Sequence, residues 1–455
     1  MDNWTRYRTK KESIVQQFRR QCHAGEEIRL KKRTSNLFRR QNRQTGTLDV
    51  HCLNQVIAVN PDRLIADVEG MTTYEDLVKE TIKNGCLPAV VPELKSITIG
   101  GALSGIGIES SSFRYGLVHE TVKEIELLTG TGEVITCTPD NPHRELFYGI
   151  PNSYGTLGYA LRVQVKLIPI KPYVKLTHIK FTDPNTYYSA LKDICLCQRE
   201  SGSIAYVDGT IFSENELYLT LGELVDKAPF VNDYRYRKIF YQSIRQKPTD
   251  YLATEDYIWR WDADWFWCSK AFLMQNPILR MLLGKWMLRS TVYWKIRQVF
   301  KKFSWLNALY HYFSGPGEAV IQDVAIPIEN SPDFFDFFFK EIRIKPVWNC
   351  PVMSYASEGS FGLFRTDPKK LYVNFGFWAI VPTQRDTPQG YYNRKVEAKV
   401  QALDGLKSLY SDVYYPRDVF WQIYDDSIYR RLKETYDPLN VFQDLYTKCT
   451  TKRSA

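Results

Sequence analysis

A run of small residues at 92–116, PELKSITIGGALSGIGIESSSFRYG, is the most informative part of this sequence. Small side chains let a backbone approach an anion closely and adopt positive φ, so such a run suits a phosphate-binding loop. No Gly-Lys-Ser/Thr follows it, and no GxGxxG lies between a strand and a helix, which excludes the two common nucleotide-binding motifs. Glycine spacing alone leaves a tightly packed turn and a phosphate loop both open.

The segments around this run predict an α+β fold. Residues 72–84 predict a helix with Thr72 or Thr73 as N-cap and Gly85 after its end. Short β-like runs fill 47–69, a hairpin with a Gly-Thr-Gly turn is predicted at 122–138, and a strand at 159–170. This order differs from a regular βαβ array.

The second half of the chain predicts another sheet. Residues 184–200 read as a helix and 203–224 as two strands around a Ser-Glu-Asn turn. Three further strands of one sheet are predicted at 320–328, 346–356 and 371–381, followed by helical sequence over 390–436.

Composition indicates a folded protein of two or three domains, since 455 residues are 44% hydrophobic and 14% aromatic. Residues 1–45 hold thirteen Lys/Arg and four Asp/Glu, while the remaining residues are balanced. This basic front end is either a solvated surface arm or a contact for nucleic acid, anionic lipid or an anionic cofactor. Nine scattered cysteines without a CxxC pair favour free thiols, and the six histidines show no metal-ligand spacing.

No apolar h-region opens the chain, and no stretch reaches the roughly 18 apolar residues of a membrane span. We therefore expect a cytoplasmic protein that is peripheral to the cytoplasmic face of a membrane.

Three motifs carry a resemblance to a known family. GGALSGIGIESSSFRYG, the EIELLTGTGEVI hairpin and FYGIPNSYGTLG together resemble the FAD-binding segment of the vanillyl-alcohol-oxidase-like (PCMH-type) oxidoreductases. Within that superfamily the chain resembles the Δ24-sterol reductase group, which carries a similar GIESSS run. It also resembles bacterial flavoproteins that act on methyl-branched fatty acyl chains, through RTSNLFR and WRWDADWFW. The resemblance covers roughly residues 28–450.

The resemblance implies a two-lobed FAD-binding domain at 28–175 and a separate substrate domain with a mixed or antiparallel sheet at 176–400. A basic arm at 1–27 would precede them, and 401–455 would return to the flavin site. It assigns FAD binding to a first loop, a second loop and a closing segment. These residues are Arg33, Thr34, Ser35, Asn36, Leu37 and Arg39; Thr98, Gly100, Gly101, Ala102, Gly105, Gly107, Ile108, Glu109, Ser110 and Ser111; and Gly155, Thr156, Gly158 and Val165.

Some superfamily members bind FAD covalently through His or Cys in these loops. RTSNLFR contains neither, and neither lies in 93–118, so we predict noncovalent FAD. Lys31, Lys32 and Arg33 would form a basic edge for the pyrophosphate. His119 reads as the start of a strand instead.

The middle of the chain, 256–313, is rich in tryptophan and basic residues. Seven Lys/Arg and no acids lie between Arg280 and Lys302. A helix with Trp and Leu on one face and cations on the other suits a membrane surface, and a core helix with a basic solvent face remains open. We disfavour nucleic acid because the aromatics lie in strongly apolar runs. Asp262 and Asp264 are expected to pair with Arg260 or Lys270.

Candidate catalytic residues come from the resemblance and from strand geometry. Gln322 and Asp323 point to opposite faces of one strand, and related oxidases place a Gln near the substrate, so Gln322 is preferred. Tyr414 or Tyr415 matches a segment that reaches the flavin in relatives. Glu109 could relay a proton or organise its loop.

These features predict an FAD-dependent reductase for a C=C bond of a lipid, either a sterol side chain or a methylene-branched or unsaturated acyl chain. By resemblance, NAD(P)H is the electron donor. Flavin-dependent lipid desaturation or alcohol oxidation is the alternative chemistry. A catalytically inactive membrane-surface binding protein is the alternative of another class.

Overall fold

A computed structural model describes residues 2–23, 27–32, 46–272, 274–292, 316–355 and 361–450. Its strands, in chain order, are β1 Ile28–Lys31, β2 Gly46–Asp49, β3 Val56–Asn60, β4 Ile65–Glu69, β5 Cys86–Pro88, β6 Val122–Leu128, β7 Val134–Cys137, β8 Tyr159–Pro169, β9 Tyr173–Phe181, β10 Ile204–Ser213, β11 Glu216–Val225, β12 Thr249–Ala253, β13 Gly317–Pro327, β14 Val347–Val352, β15 Tyr372–Pro382 and β16 Leu406–Lys407.

The α-helices are α1 Asn3–His23, α2 Tyr74–Ile82, α3 Ile99–Gly105, α4 Ser112–Tyr115, α5 Arg144–Gly149, α6 Pro184–Gln198, α7 Phe240–Ile244, α8 Thr254–Ile258, α9 Pro277–Met287, α10 Ser331–Phe337, α11 Tyr391–Ala402, α12 Arg417–Ile423, α13 Asp426–Tyr436 and α14 Leu445–Cys449. Helices and antiparallel sheets together confirm the predicted α+β class.

The first sheet holds six antiparallel strands from the N-terminal part of the chain. Its order is β3-β4-β8-β6-β7, and β5 pairs with the far end of β8. Apolar side chains alternate inward along β8, where Leu161, Val163 and Val165 are buried. Helix α2 packs near β5, and Thr73 caps it by accepting a hydrogen bond from the backbone N–H of Asp76.

The second sheet is antiparallel and has eight strands, in the order β12-β9-β11-β10-β14-β15-β13-β16. The strands predicted at 320–328, 346–356 and 371–381 lie side by side in it. Helices α6, α10 and α11 cover one face through buried side chains that include Tyr187, Phe334 and Val396. The opposite face of the second sheet is directed toward the first sheet.

The basic N-terminus is a docked helix rather than a solvated arm. Tyr7, Ile14 and Phe18 share one face of α1 and are buried. Lys10 pairs with Glu69 at 2.8 Å, which fixes the helix to the first sheet. The sequence did not predict that α1 is packed against the sheet, because its few apolar residues are spaced among many Lys and Arg.

The C-terminal segment returns to the first sheet. Phe442 packs on Phe18 and Tyr159. The buried Lys433 ammonium donates to the Thr156 carbonyl at 2.9 Å and to the Phe442 carbonyl at 2.6 Å, which holds α13 against that sheet.

The described helices include none that combines the length and the apolar character of a bilayer span. The cysteines are free thiols, as their spacing predicted.

Candidate active site

A deep cleft lies where the first sheet, the second sheet and the C-terminal segment meet. Its cavity volume is about 320 Å³. The first-sheet side contributes small residues and loop backbone, whereas the second-sheet side contributes tryptophans, Asp323 and Tyr410. The C-terminal segment adds Gln443, Thr447, Lys448 and Thr450. The cleft therefore has two chemically different sides.

The side from the first sheet is built around the glycine loop, which we define as Thr98–Ile108. Thr98 caps α3 by accepting from the Gly101 N–H. A Cβ at Gly100 would come within 2.7 Å of the Gly70 carbonyl oxygen, so only glycine permits this approach. After α3 the chain turns through Ile106 at φ 63°. The N–H groups of Gly107 and Ile108 have no partner among the described residues.

The predicted FAD-binding residues fall into three groups. Those that line the cleft are Thr98, Gly100, Gly101, Ala102, Gly105, Gly107, Ile108, Gly155 and Gly158. Those that lie behind its surface are Glu109, Ser110, Ser111, Thr156 and Val165. Arg33, Thr34, Ser35, Asn36, Leu37 and Arg39 lie outside the described residues.

The second group supports the loop from within. The Ser110 hydroxyl donates to Glu109 at 2.6 Å, and the Ser111 hydroxyl donates to the Ala89 carbonyl at 2.8 Å. The Thr156 hydroxyl donates to the Ser153 carbonyl, and Val165 is a core residue of β8. The bonds of Ser110 and Ser111 hold the end of the GIESSS segment behind the cleft surface.

Cations stand at the edge of the cleft. Arg29 and Lys32 line it from β1 and the residue after it, and Lys448 lines it from α14. Lys31, predicted as part of the basic edge, points away and pairs with Asp49 at 3.1 Å. Positive charge beside a small-residue loop suits a pyrophosphate dianion.

A buried ion cluster lies directly behind the loop. The fully buried Arg260 guanidinium pairs with Glu93 at 2.5 Å, Glu109 at 3.0 Å and Asp208 at 2.7 Å. Burial raises the pKa of Glu93 well above its ordinary value, against the attraction of Arg260. Three acids around one cation give the cluster excess negative charge, which protonation of a carboxyl relieves. Of the four, only Glu93 lines the cleft.

The ion pairs around Arg260 differ from the predicted ones and include Glu109. Asp262 and Asp264 pair with neither Arg260 nor Lys270, because both accept local hydrogen bonds: Asp262 from the Ser290 hydroxyl and Asp264 from the Ser269 hydroxyl. Glu109 is held by Arg260 and Ser110, so the structure favours its role as a loop organiser.

The other side is an aromatic wall, which we define as Trp265 and Phe266 from the segment between α8 and α9, Trp348 from β14 and Trp378 from β15. The Phe266 ring lies 4.8 Å from Trp378 and 5.6 Å from Trp348. Trp265, Phe266 and Trp267 adopt φ of 49°, 50° and 54°, a left-handed turn of three non-glycine residues. Such residues cost of the order of 1–3 kcal/mol each, and strain of this kind is concentrated at functional sites.

The positions of these tryptophans correct the prediction that the first part of the tryptophan-rich segment faces lipid. Trp259, Trp261, Trp265 and Trp267 are buried in the protein or face the cleft, so they do not form a lipid-facing surface. Residues 293–315 lie outside the described part of the chain.

One carboxyl group projects between the tryptophans. Asp323 on β13 accepts a hydrogen bond from Asn374 Nδ2 at 2.7 Å and a second from Tyr410. Burial raises its pKa to about 6, against the effect of both hydrogen bonds. In turn, Trp378 Nε1 donates to the Tyr410 hydroxyl at 3.0 Å.

The structure does not bring the preferred residue of this strand, Gln322, to the cleft. Gln322 is fully buried on the other face, where its amide donates to Asn393 Oδ1 at 2.6 Å. The two side chains do point to opposite faces, as predicted, but helix α11 covers the face of Gln322. Asp323 replaces it as the candidate.

Tyr414 and Tyr415 do not reach the cleft either. Tyr414 stacks against Arg394 and its backbone N–H donates to Glu397. The buried Tyr415 hydroxyl donates toward the Glu397 carbonyl at 3.4 Å. The tyrosine of this segment that lines the cleft is Tyr410, four residues earlier than Tyr414.

His119 is a core residue. Its ring packs on Phe361 at 4.3 Å, and burial lowers its pKa to about 3. The described residues contain no cluster of His, Cys, Asp or Glu that could hold a metal ion.

The residues present fit FAD. The glycine loop leaves room for close approach of a ligand to its backbone, and the cleft edge is cationic. The aromatic wall gives the other side of the cleft an apolar surface. Bound FAD supplies hydride transfer, and the protein supplies the surface that orients a substrate and a group that exchanges a proton.

Comparison with known proteins agrees with this geometry. Residues 8–138 match a family described as "FAD binding domain". The chain is 28% identical to the human Δ24-sterol reductase over 415 residues, covering 87% of this chain and 76% of that protein. It is 27% identical to the Pisum sativum Δ24-sterol reductase, over 89% of this chain and 76% of that protein.

A further relative matches a shorter part of the chain. Cytokinin dehydrogenase 10 of rice is 31% identical over 162 residues, which are 35% of this chain and 29% of that protein. These matches and the cleft support one conclusion: the chain carries a PCMH-type FAD-binding domain and is an FAD-dependent oxidoreductase similar to the Δ24-sterol reductases.

Proposed function

We propose that this protein reduces a carbon–carbon double bond in a lipid, with FAD as cofactor and NAD(P)H as electron donor. The observation that carries the proposal is the cleft's second side, where the aromatic wall surrounds one ionisable carboxyl, Asp323. An apolar wall binds a hydrocarbon. Reduction of an alkene needs a proton as well as a hydride, and a carboxyl group can supply that proton.

The proposed substrate is a sterol side chain or a methylene-branched or unsaturated acyl chain. Trp265, Phe266, Trp348 and Trp378 offer aromatic surface and few polar atoms to a substrate. The Trp348 N–H already donates to Asp208 at 3.2 Å, and the Trp378 N–H to Tyr410. A polar substrate would find few partners, whereas an alkyl chain loses little on entering. The names of the sterol-reductase relatives agree with this choice of substrate.

Purified protein tests the proposal. It should be yellow, NADPH should bleach the flavin under anaerobic conditions, and an unsaturated lipid should restore the colour and become saturated. Bleaching by a lipid alcohol or a saturated lipid, but not by NADPH, would favour the oxidase or desaturase. A colourless, flavin-free protein would contradict the enzyme assignment.

We further propose that the protein works at a membrane surface, because helix α9 is apolar on its outer side. Ile278, Met281 and Leu282 are 65%, 50% and 73% exposed. Arg280 on the opposite side is buried and donates to the Tyr236 carbonyl at 2.7 Å. Arg237, beside Tyr236, is exposed. An outward apolar face next to cations suits an anionic lipid surface.

A further inference from the structure

We propose that Asp323 is the general acid that protonates the substrate double bond and that Tyr410 positions it. This inference rests on the proposed function, since it names the proton donor of that reaction. Asp323 is the carboxyl group that the second sheet presents to the cleft, between Trp348 and Trp378.

The sheet makes room for this side chain. Asp323 lies opposite Gly376 on β15. A Cβ at Gly376 would come within 2.8 Å of Asp323 Oδ1 and 2.7 Å of the Trp378 ring. Only glycine at this register position lets the carboxyl and the indole lie side by side above the sheet. The backbone is thus shaped around Asp323.

A directed hydrogen-bond chain fixes the carboxyl. The Trp378 N–H can only donate, so Tyr410 accepts from it at 3.0 Å. The tyrosine proton is then directed at Asp323, while Asn374 donates to Oδ1 from the side at 2.7 Å. Two fixed donors hold the carboxyl in one orientation, with its accessible part toward the cleft.

Glu93 is the rival acid that the cleft offers, and its surroundings suit it less. It is 3% exposed and its carboxyl is paired with Arg260 at 2.5 Å. Release of its proton would add a negative charge to a cluster in which two other acids, Glu109 and Asp208, already share the one cation. Asp323 is partly exposed to the cleft and has a pKa near 6, a range suited to an acid at neutral pH.

The Asp323 carboxyl gives its proton to one alkene carbon, and the π electron pair forms that C–H bond. The other carbon receives a hydride, with its electron pair, from the flavin that NAD(P)H has reduced. Asp323 is left as a carboxylate, which Tyr410 and Asn374 stabilise, and it takes a proton from water before the next turnover.

The test separates the two half-reactions in holoenzyme. The flavin of each protein is first bleached with NADPH. The protein is then mixed anaerobically with a sterol that bears an unsaturated side chain or with a methylene-branched fatty acid. The proteins compared are wild type, Asp323→Asn, Tyr410→Phe, Glu93→Gln and a surface control, Asp193→Asn. We expect Asp323→Asn to bleach normally and to regain colour about 10²- to 10⁴-fold more slowly. Infrared titration should also show a protonated carboxyl in wild type that Asp323→Asn lacks.

Tyr410→Phe tests positioning through a pH profile. The Tyr410 hydrogen bond lowers the pKa of Asp323. Its loss raises that pKa, so the pH above which recolouring slows should move upward. A merely structural role would lower the rate without moving the profile.

Three outcomes overturn the assignment: Asp323→Asn recolours at the wild-type rate, Glu93→Gln shows the large loss instead, or Asp323→Asn slows bleaching and recolouring equally. If Asp323→Asn binds no flavin, Asp323→Ser takes its place under the same criteria. Wild type that is bleached by NADPH but recoloured by none of these lipids would instead refute the proposed function, a result distinct from loss in the variant alone.

Discussion

At the scale of single residues, burial of Asp323 has a consequence for stability. Its pKa is about 6 in the folded protein against 3.8 ordinarily, so the folded state holds the proton more tightly than the unfolded state does. Stability contributed by this group is present below pH 4 and is lost as pH rises to 6.

Asp323→Asn should therefore make the flavin-free protein more stable at pH 7–8, by up to about 2–3 kcal/mol. The gain over wild type should shrink toward pH 5, and urea unfolding at several pH values measures it. Asp193→Asn, at an exposed position, should give curves parallel to wild type. A constant gain at every pH would show that Asp323 does not titrate in this range.

Substitution of Arg260 should lower the stability of the protein instead of raising it. Arg260→Met leaves Glu93, Glu109 and Asp208 buried without their cation, and breaking a buried pair in this way costs about 3–5 kcal/mol. The loss should be smaller at pH 5, where the orphaned carboxyls take up protons more readily.

Arg289→Met is the matched control for Arg260→Met. It removes a 2.6 Å pair with Glu75 that is more than a third exposed, and pairs of this kind are worth about 0–1 kcal/mol. Equal losses in the two variants would show that the cluster around Arg260 is not a stabilising unit.

At the scale of helices and strands, α9 carries the membrane proposal. Ile278→Gln combined with Leu282→Gln removes two apolar side chains worth roughly 1.5–3 kcal/mol each when buried. Sedimentation with anionic liposomes should show binding at least tenfold weaker, with folding and flavin content unchanged. Leu196→Gln, an exposed leucine on α6, should bind as wild type does. Unchanged binding of the double variant would contradict our choice of surface.

The same scale shows what the sequence could predict. Alternation and turn residues predicted many strands of both sheets, but not β5, β9, β12 or β16. Along β8 they were sufficient because most buried positions are apolar and the half-buried Gln164 and Lys166 are polar. On β13 they were not, because Gln322 and Asp323 are both polar. Which of them faces the cleft depends on α11, whose Asn393 accepts the Gln322 amide.

The aromatic wall could not be foreseen for a related reason. An apolar run such as that around Trp265 predicts a buried or lipid-facing segment, and a helix is the simplest form. The chain instead makes a left-handed turn over Trp265–Trp267, a conformation that L-residues seldom adopt and that tertiary contacts impose. Tyr410 was missed because the resemblance pointed four residues further along.

At the scale of the whole molecule, the cleft joins parts that are far apart in sequence. Residues near Arg29, in the glycine loop, on the second sheet and near Lys448 all line it. FAD bound there would hold these parts together, so removal of the flavin should lower the thermal midpoint. Restoring FAD at about 100 times its dissociation constant should return roughly 2.7 kcal/mol.

The residues that line the cleft bear on whether the flavin is attached covalently. The described residues that line the cleft include no histidine and one cysteine, Cys268, which neither predicted FAD loop contains. We keep the prediction of noncovalent FAD, so acid precipitation should leave all the yellow colour in solution. Cys268→Ala should bind and release flavin as wild type does. Colour that stays in the wild-type pellet but leaves that of Cys268→Ala would instead reveal a bond to this thiol, because no other lining side chain among the described residues is a cysteine or a histidine.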